Sequence, residues 1–175
     1  MNIWHDLNPN RVSPKNFDAV IEIPNGSKQK YELDKETGTL KLDRILYTST
    51  VYPANYGFIP RTLGDDGDPL DVLVLCQRPI ECLALVNCRP IGVIYMIDGG
   101  RGDEKILAVP TSDPAYALIK DISELAPHYA KEISHFFEVY KALENKETTI
   151  DDMGGAEAAQ QVIKAAIDNY IENFC

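Results

Sequence analysis

Basic residues are in short supply in this chain: 17 Lys and Arg stand against 27 Asp and Glu, for a formal net charge of −10 over 175 residues. General affinity for nucleic acid or an anionic membrane comes from massed Lys and Arg, so this balance opposes both as partners. It leaves room for a small phosphorylated ligand held by a few local cations or metal ions, and it favours the attraction of divalent cations. Long apolar runs are also missing. None approaches the ~20 residues of a membrane helix, and the opening MNIWHDLNPNRVSP has no basic region followed by an apolar core, so a cytoplasmic protein is expected. Histidine is scarce, and His5, His128 and His135 all lie away from the acidic segments. The four cysteines, Cys76, Cys82, Cys88 and Cys175, contain no CxxC pair, which disfavours a zinc site. A chain of this length buries roughly 70% of its unfolded surface and needs no disulfide framework, so the cysteines are read as small hydrophobes in or near strands. With no repeat, low-complexity tract or linker, one domain over residues 1–175 is expected.

What is present falls into two periods. FDAVIEIP (17–24), KQKYELD (28–34) and TLKLDRIL (39–46) read as strands punctuated by NGS and KETG. After the Tyr- and Pro-rich VYPANYGFIP come PLDVLVLC, the pair CLALVNCR and IGVIYMID, the loop GGRGDE, and KILAVPT. From Pro127 the apolar residues Tyr129, Ile133, Phe136, Phe137, Tyr140 and Leu143 recur at helical spacing; from Ala156, so do Ala159, Val162, Ile163, Ala166, Ile167, Tyr170, Ile171 and Phe174. Short strands followed by helices predict an α+β fold: a small closed antiparallel β-barrel, OB-like, with flanking helices and extra strands.

Between two of these strands, DDGDPLD (65–71) crowds four carboxylates into seven positions beside the apolar VLVL. Asp-Gly and Asp-Pro are common turn chemistry, which accounts for the composition by itself. Like charges ~4 Å apart repel by about 4 kcal/mol at an effective dielectric near 20, however, so Asp66, Asp68 and Asp71 share a partly buried site only with protonation or a counter-cation. A second acidic segment, DGGRGDEK (98–105), follows another apolar strand and offers Asp98 and Asp103 beside Lys105. All-oxygen donors suit Mg²⁺, Mn²⁺ or Ca²⁺. An EF-hand beginning at Asp66 fails, because Leu70 and Gln77 occupy its fifth and twelfth positions. A phosphorylated substrate would also need cationic and hydroxyl donors, for which Lys30, Arg44, Tyr52, Tyr56, Tyr140 and Lys141 are available. Each of these has an ordinary alternative as a solvated strand residue or a packing aromatic, and none alone establishes a site. A metal-dependent hydrolase or transferase of phosphoesters, an OB-like binding module and a structural Ca²⁺ domain remain open from the residues alone.

DGDPLDV (66–72) resembles the signature of the family I soluble inorganic pyrophosphatases. VIEIPNGSKQKYELDKETG, LDRILYTSTVYPANYGFIPRTLGDDGDPLDVLVL, CRPIGVIYMID, GDEKILAVP and HFFEVYK look like further blocks of that family, in its order, from about Asp18 to Lys141. The resemblance implies hydrolysis of inorganic pyrophosphate to two orthophosphates with Mg²⁺, with Mn²⁺ or Zn²⁺ as substitutes and Ca²⁺ inhibitory. Residue by residue, Asp66, Asp71 and Asp103 match the ligands of two activating ions, Asp98 with Asp103 a further metal site, and Glu22 an acidic residue at the metal that accompanies substrate. Asp68 matches the general base. Lys30, Arg44, Tyr56, Tyr140, Lys141 and Lys105 match phosphate-handling or charge-balancing positions, Tyr52 another active-site position, and Glu32 a supporting carboxylate. The short chain resembles bacterial-type members, which assemble as homohexamers, two trimers face to face. It departs from some of them at Val139, where they carry a second histidine, and in TTIDDMGG, which lacks their tryptophans.

Overall fold

The computed structural model describes residues 1–175. Strand β1 (Phe17–Ile23) is buried at every position, and its alternating side chains enter different clusters: Phe17, Ala19 and Ile21 one, Ile23 a second, Val20 a third. A strand covered on both faces explains why this stretch is nearly continuous in Val, Ile and Phe. The hairpin β2 (Gln29–Leu33) and β3 (Leu40–Ile45) follows and stands apart as a two-stranded sheet. Strands β4 (Asn55–Phe58), β5 (Asp71–Val74), β6 (Leu85–Asp98), β7 (Arg101–Pro110) and β8 (Thr148–Gly155) join β1 in a six-stranded sheet of order β1-β4-β5-β7-β6-β8. β1 also pairs with β6, so the pairings β1-β4-β5-β7-β6 return to their start. Gly57 permits the β1–β4 contact: a Cβ there would stand 1.8 Å from the Val20 carbonyl oxygen.

Helix α1 (Pro127–Val139) opens on a proline, whose missing N–H is harmless in the first turn, and buries Ile133, Phe136 and Phe137. Helix α2 (Ala156–Phe174) buries Ala159, Ile163, Ala166 and Tyr170, one stripe at helical spacing. The first three meet Phe17, Val72, Val93 and Ile106 of the sheet. α2 has no local side-chain cap; Asp121 supplies one from 35 residues away, its Oδ1 accepting from Ala156 N at 2.7 Å.

Several sequence expectations change. The mixed α+β architecture is present, but the sheet is not antiparallel throughout. β5 and β7 run parallel, because the chain leaves β5 through residues 75–84 and crosses along β6 before β7 turns back beside it. The expected pair of strands around Arg89 is one 14-residue strand, β6, whose register shifts between Pro90 and Gly92 where the proline has no N–H to donate. Only Gly99 and Gly100 of the expected loop GGRGDE form the turn; Arg101 already pairs with Asp98. β4 and β8 had no strand assignment in the sequence pattern. α1 stops at Val139, four residues before the apolar pattern ends. Leu143 stays 65% exposed, and Thr148 donates its hydroxyl to the Phe137 carbonyl that the helix leaves free. The cysteines are all free, and only Cys88 is a core residue; Cys82 and Cys175 are exposed. No helix is long and apolar enough to cross a membrane.

Candidate active site

The loop after β4 turns tightly on its own atoms. Gly67 has φ of +83°, a left-handed conformation that side chains resist, and this lets Asp66 Oδ1 accept from Asp68 N at 3.0 Å while Gly64 N donates to Asp68 O at 2.7 Å. Asp71 is the first residue of β5 and stands in register with Lys105 of β7. Because strand side chains alternate, Asp103 and Lys105 share one face of β7. Lys105 is only 2% exposed, and its Nζ donates to Asp71 Oδ2 at 2.9 Å, Tyr56 Oη at 2.9 Å and Asp103 Oδ2 at 3.3 Å. Burial works against the ammonium, but Asp71 foremost, with Tyr56 and Asp103, outweighs it and holds the Lys105 pKa well above the usual lysine range.

Around this buried lysine opens a cleft of about 580 Å³. Every residue singled out in the sequence lines it except Arg44 and Tyr52. Glu22 comes from β1, Lys30 and Glu32 from β2, Tyr56 from β4, Asp66 and Asp68 from the loop, Asp98 from the end of β6, and Tyr140 and Lys141 from the chain just after α1. Lys141 Nζ lies 2.6 Å from Asp98 Oδ2. Lys30 Nζ lies 3.0 Å from Asp43 Oδ2 and 3.9 Å from Glu32 Oε2. Arg44, the register partner of Lys30, instead binds Asp43 at 2.9 Å and pairs with Glu144. Tyr52 is buried beneath the cleft, its ring 5.2 Å from that of Tyr56 and 4.8 Å from that of Phe136. Sequence inspection missed Asp43 and Glu144, which hold Arg44, and Lys35, which pairs with Asp68. Asp43 adjoins Arg44 in the chain, but nothing in the chain order marks the pairing of Arg44 with Glu144, 100 residues on, or of Lys35 with Asp68.

The lining carries nine carboxylates (Glu22, Glu32, Asp34, Glu36, Asp66, Asp68, Asp71, Asp98 and Asp103) against the five lysines Lys30, Lys35, Lys41, Lys105 and Lys141. The surplus is felt by individual groups. Burial, reinforced by Asp71, pushes the Glu22 carboxyl up to about 8 against the N–H of Leu33, which donates to it at 2.8 Å. Burial raises Asp103 to about 6, with Lys105 opposing and Asp71 adding to the rise. Burial raises Asp66 as well. As the side chains stand, no three His, Cys, Asp or Glu residues converge to hold an ion: Asp71 and Asp103 turn to Lys105, Asp98 to Lys141 and Asp68 to Lys35. The donor set nevertheless fits a hard dication, being all oxygen, in negative excess and partly desolvated.

Glu22 gives a signed expectation for the protein in EDTA. The unfolded chain loses this proton near the ordinary 4.5 and the folded chain near 8, so stability falls as pH rises between those values. Glu22→Gln removes that dependence and keeps an oxygen for Leu33 N. Its melting temperature is expected to match the parent at pH 4 and to exceed it by roughly 5 °C or more at pH 8, a few kcal/mol at about 2–4 °C each. Thermal scans across pH check this; a lower melting temperature at pH 8 would contradict it.

Comparisons with known proteins converge on one family. The inorganic pyrophosphatase family profile matches residues 19–171. The chain is 53% identical over 171 residues to soluble inorganic pyrophosphatase 2 of Chlamydomonas reinhardtii, covering 98% of this chain and 89% of that one. It is 52% identical over 169 residues to soluble inorganic pyrophosphatase 3 of Arabidopsis thaliana, covering 97% and 78%. Among solved structures, the inorganic pyrophosphatase of Thermus thermophilus superimposes with a TM-score of 0.93 at 38% identity, covering 98% of this chain and 99% of that one. That of Helicobacter pylori gives 0.90 at 43% identity, covering 95% and 99%.

Proposed function

The chain belongs to the inorganic pyrophosphatase family, and from that premise we propose that it hydrolyses inorganic pyrophosphate to two orthophosphates, with Mg²⁺ as cofactor and Asp68 as general base. The observation that carries the reading is the single cleft in which the acidic segments 65–71 and 98–105 meet with four of the proposed phosphate-handling residues, Lys30, Tyr56, Tyr140 and Lys141. Asp66, Asp71, Asp98, Asp103 and Glu22 are the residues to hold the metal. When bound, Mg²⁺ supplies neutralisation of the diphosphate oxygens and a lowered pKa for the attacking water.

The protein's own groups do the rest. Asp68 projects from the loop with its side chain 54% exposed, so it can reach a water and accept its proton as the oxygen bonds to phosphorus. The bond from that phosphorus to the bridging oxygen breaks, and its electron pair leaves with the second phosphate. Lys30, Lys141 and the Tyr140 hydroxyl bind the diphosphate oxygens and offset the charge gathering on the departing one. Arg44 joins them by exchanging Glu144 for phosphate. Lys105, fully enclosed, holds Asp71 and Asp103 in place and keeps Tyr56 oriented. Tyr52 and Glu32 support Tyr56 and Lys30.

Within this reading, the circuit of strand pairings is a small closed OB-like barrel carrying the site as one domain. The protein works in the cytoplasm as a homohexamer, with Val51 and Tyr129, exposed along one surface cleft, offering apolar contact area. Light scattering checks the assembly. For the activity, phosphate release from pyrophosphate is expected to require Mg²⁺, to cease in EDTA or excess Ca²⁺, and to exceed by far release from ATP or a phosphomonoester. Equal rates on all three substrates would overturn the assignment.

A further inference from the structure

We propose that Lys35, seated on the Trp4 ring, is a positioning residue for Asp68, a role that rests on reading Asp68 as the proton acceptor. Lys35 lies in the turn between β2 and β3, outside the acidic loop, and grips that loop at two points. Its ammonium pairs with the Asp68 carboxylate and donates to the Gly67 carbonyl at 3.4 Å. On its other side, Nζ lies 5.6 Å from the centre of the Trp4 ring. Trp4 is itself fixed: it is 4% exposed, packs against Phe174 and Tyr170, and donates from Nε1 to the Thr62 carbonyl at 2.9 Å. The Thr62 hydroxyl accepts from Leu70 N at 2.9 Å, tying the start of the loop to its end. One tryptophan therefore touches both the base of the loop and the lysine that holds its middle.

The pair contributes little to stability. Lys35 and Asp68 are 52% and 54% exposed, and water screens an ion pair that open. Orientation is another matter. Within the loop, Asp66 binds the backbone N–H of Asp68 and leaves its side chain free to rotate. Lys35 is the sole cation on the Asp68 carboxylate, and its seat on an immobile aromatic face restricts where that carboxylate points. A base serves only within hydrogen-bond reach of its proton, and a misplacement of ~1 Å costs about 100-fold in rate. The alternative is that Lys35, which also lines the cleft, binds diphosphate directly.

Steady-state kinetics of the full chain with Mg²⁺-pyrophosphate separate the two. Lys35→Met is expected to lower kcat by about 10- to 100-fold with KM within about twofold. Its melting temperature is expected to stay within about 3 °C of the parent. Lys35→Arg, which keeps the charge and stacks on tryptophan, is expected to restore most of the loss. In an Asp68→Asn background, measured by single turnover, Lys35→Met is expected to cost nothing further, because the group it positions is gone. A raised KM with unchanged kcat, or the same loss in the Asp68→Asn background, would instead show that Lys35 does not act through Asp68. A parental kcat for Lys35→Met beside an inactive Asp68→Asn defeats positioning alone; an active Asp68→Asn defeats the reading of the base.

Discussion

Asp68→Asn is expected to lower the turnover of pyrophosphate by roughly 100- to 10,000-fold while leaving the fold and the affinity for Mg²⁺ close to those of the parent protein. The size of the loss is that of removing a proton acceptor from the reaction. The selectivity follows from where the side chain sits. Asparagine has the same shape, and the loop is closed by backbone and Asp66 contacts that do not involve the Asp68 carboxylate. Only an exposed pair with Lys35 is lost, worth about 1 kcal/mol at most. Asp71→Asn provides the contrast. Asp71 opens β5 and faces Lys105 across the sheet, so its variant should weaken Mg²⁺ binding itself. Phosphate release combined with Mg²⁺ titration calorimetry distinguishes the two variants. Undiminished turnover in Asp68→Asn would remove it from the mechanism.

Lys105→Met should produce the largest loss of stability, and one that Mg²⁺ repairs. The ammonium is buried, and Asp71 and Asp103 both turn toward it. Methionine fills much of the volume but leaves those carboxylates beside Glu22 with no cation among them. Breaking a buried charge pair on one side typically costs about 3–5 kcal/mol, which at about 2–4 °C per kcal/mol is roughly a 10 °C fall in melting temperature in EDTA near pH 8. The sign with pH is set by the raised carboxyls. With folded-state values near 8 for Glu22 and 6 for Asp103, protonation relieves the repulsion, so the deficit should shrink as pH falls toward 5. Millimolar Mg²⁺ should restore part of the deficit at pH 8, because a bound dication supplies the missing charge. A deficit indifferent to both pH and Mg²⁺ would indicate lost packing against Phe137 and Tyr56 rather than lost charge.

The two acidic segments stood out in the sequence because carboxylates crowd against apolar strands, and the resemblance to the pyrophosphatases named their partners. Both signals are local: DGDPLD and GDEK carry their chemistry in adjacent letters. Arg44 shows where that kind of reading stops. Its type and position pointed to phosphate, yet its present partners are Asp43 beside it and Glu144 100 residues on. Lys35 is the converse case, an unremarkable turn lysine in the chain and the partner of Asp68 in space. The strand β4 was hidden for a related reason. NYGF has no alternation to detect, because all four residues are buried, Tyr56 in one hydrophobic cluster and Phe58 in another.

From the amino-acid sequence alone came the class of fold, the two amphipathic helices, and the two acidic segments that meet in one cleft. These follow from periodicity and composition, which operate over a few residues at a time. Tertiary structure alone decided that β5 lies parallel to β7, which sets Asp71 against Lys105, that Asp121 caps α2 from across the molecule, and that Lys35 and Trp4 brace the acidic loop. Such pairings depend on which distant segments share a face once apolar side chains are withdrawn from water, and the burial that brings them together is not written at any single position.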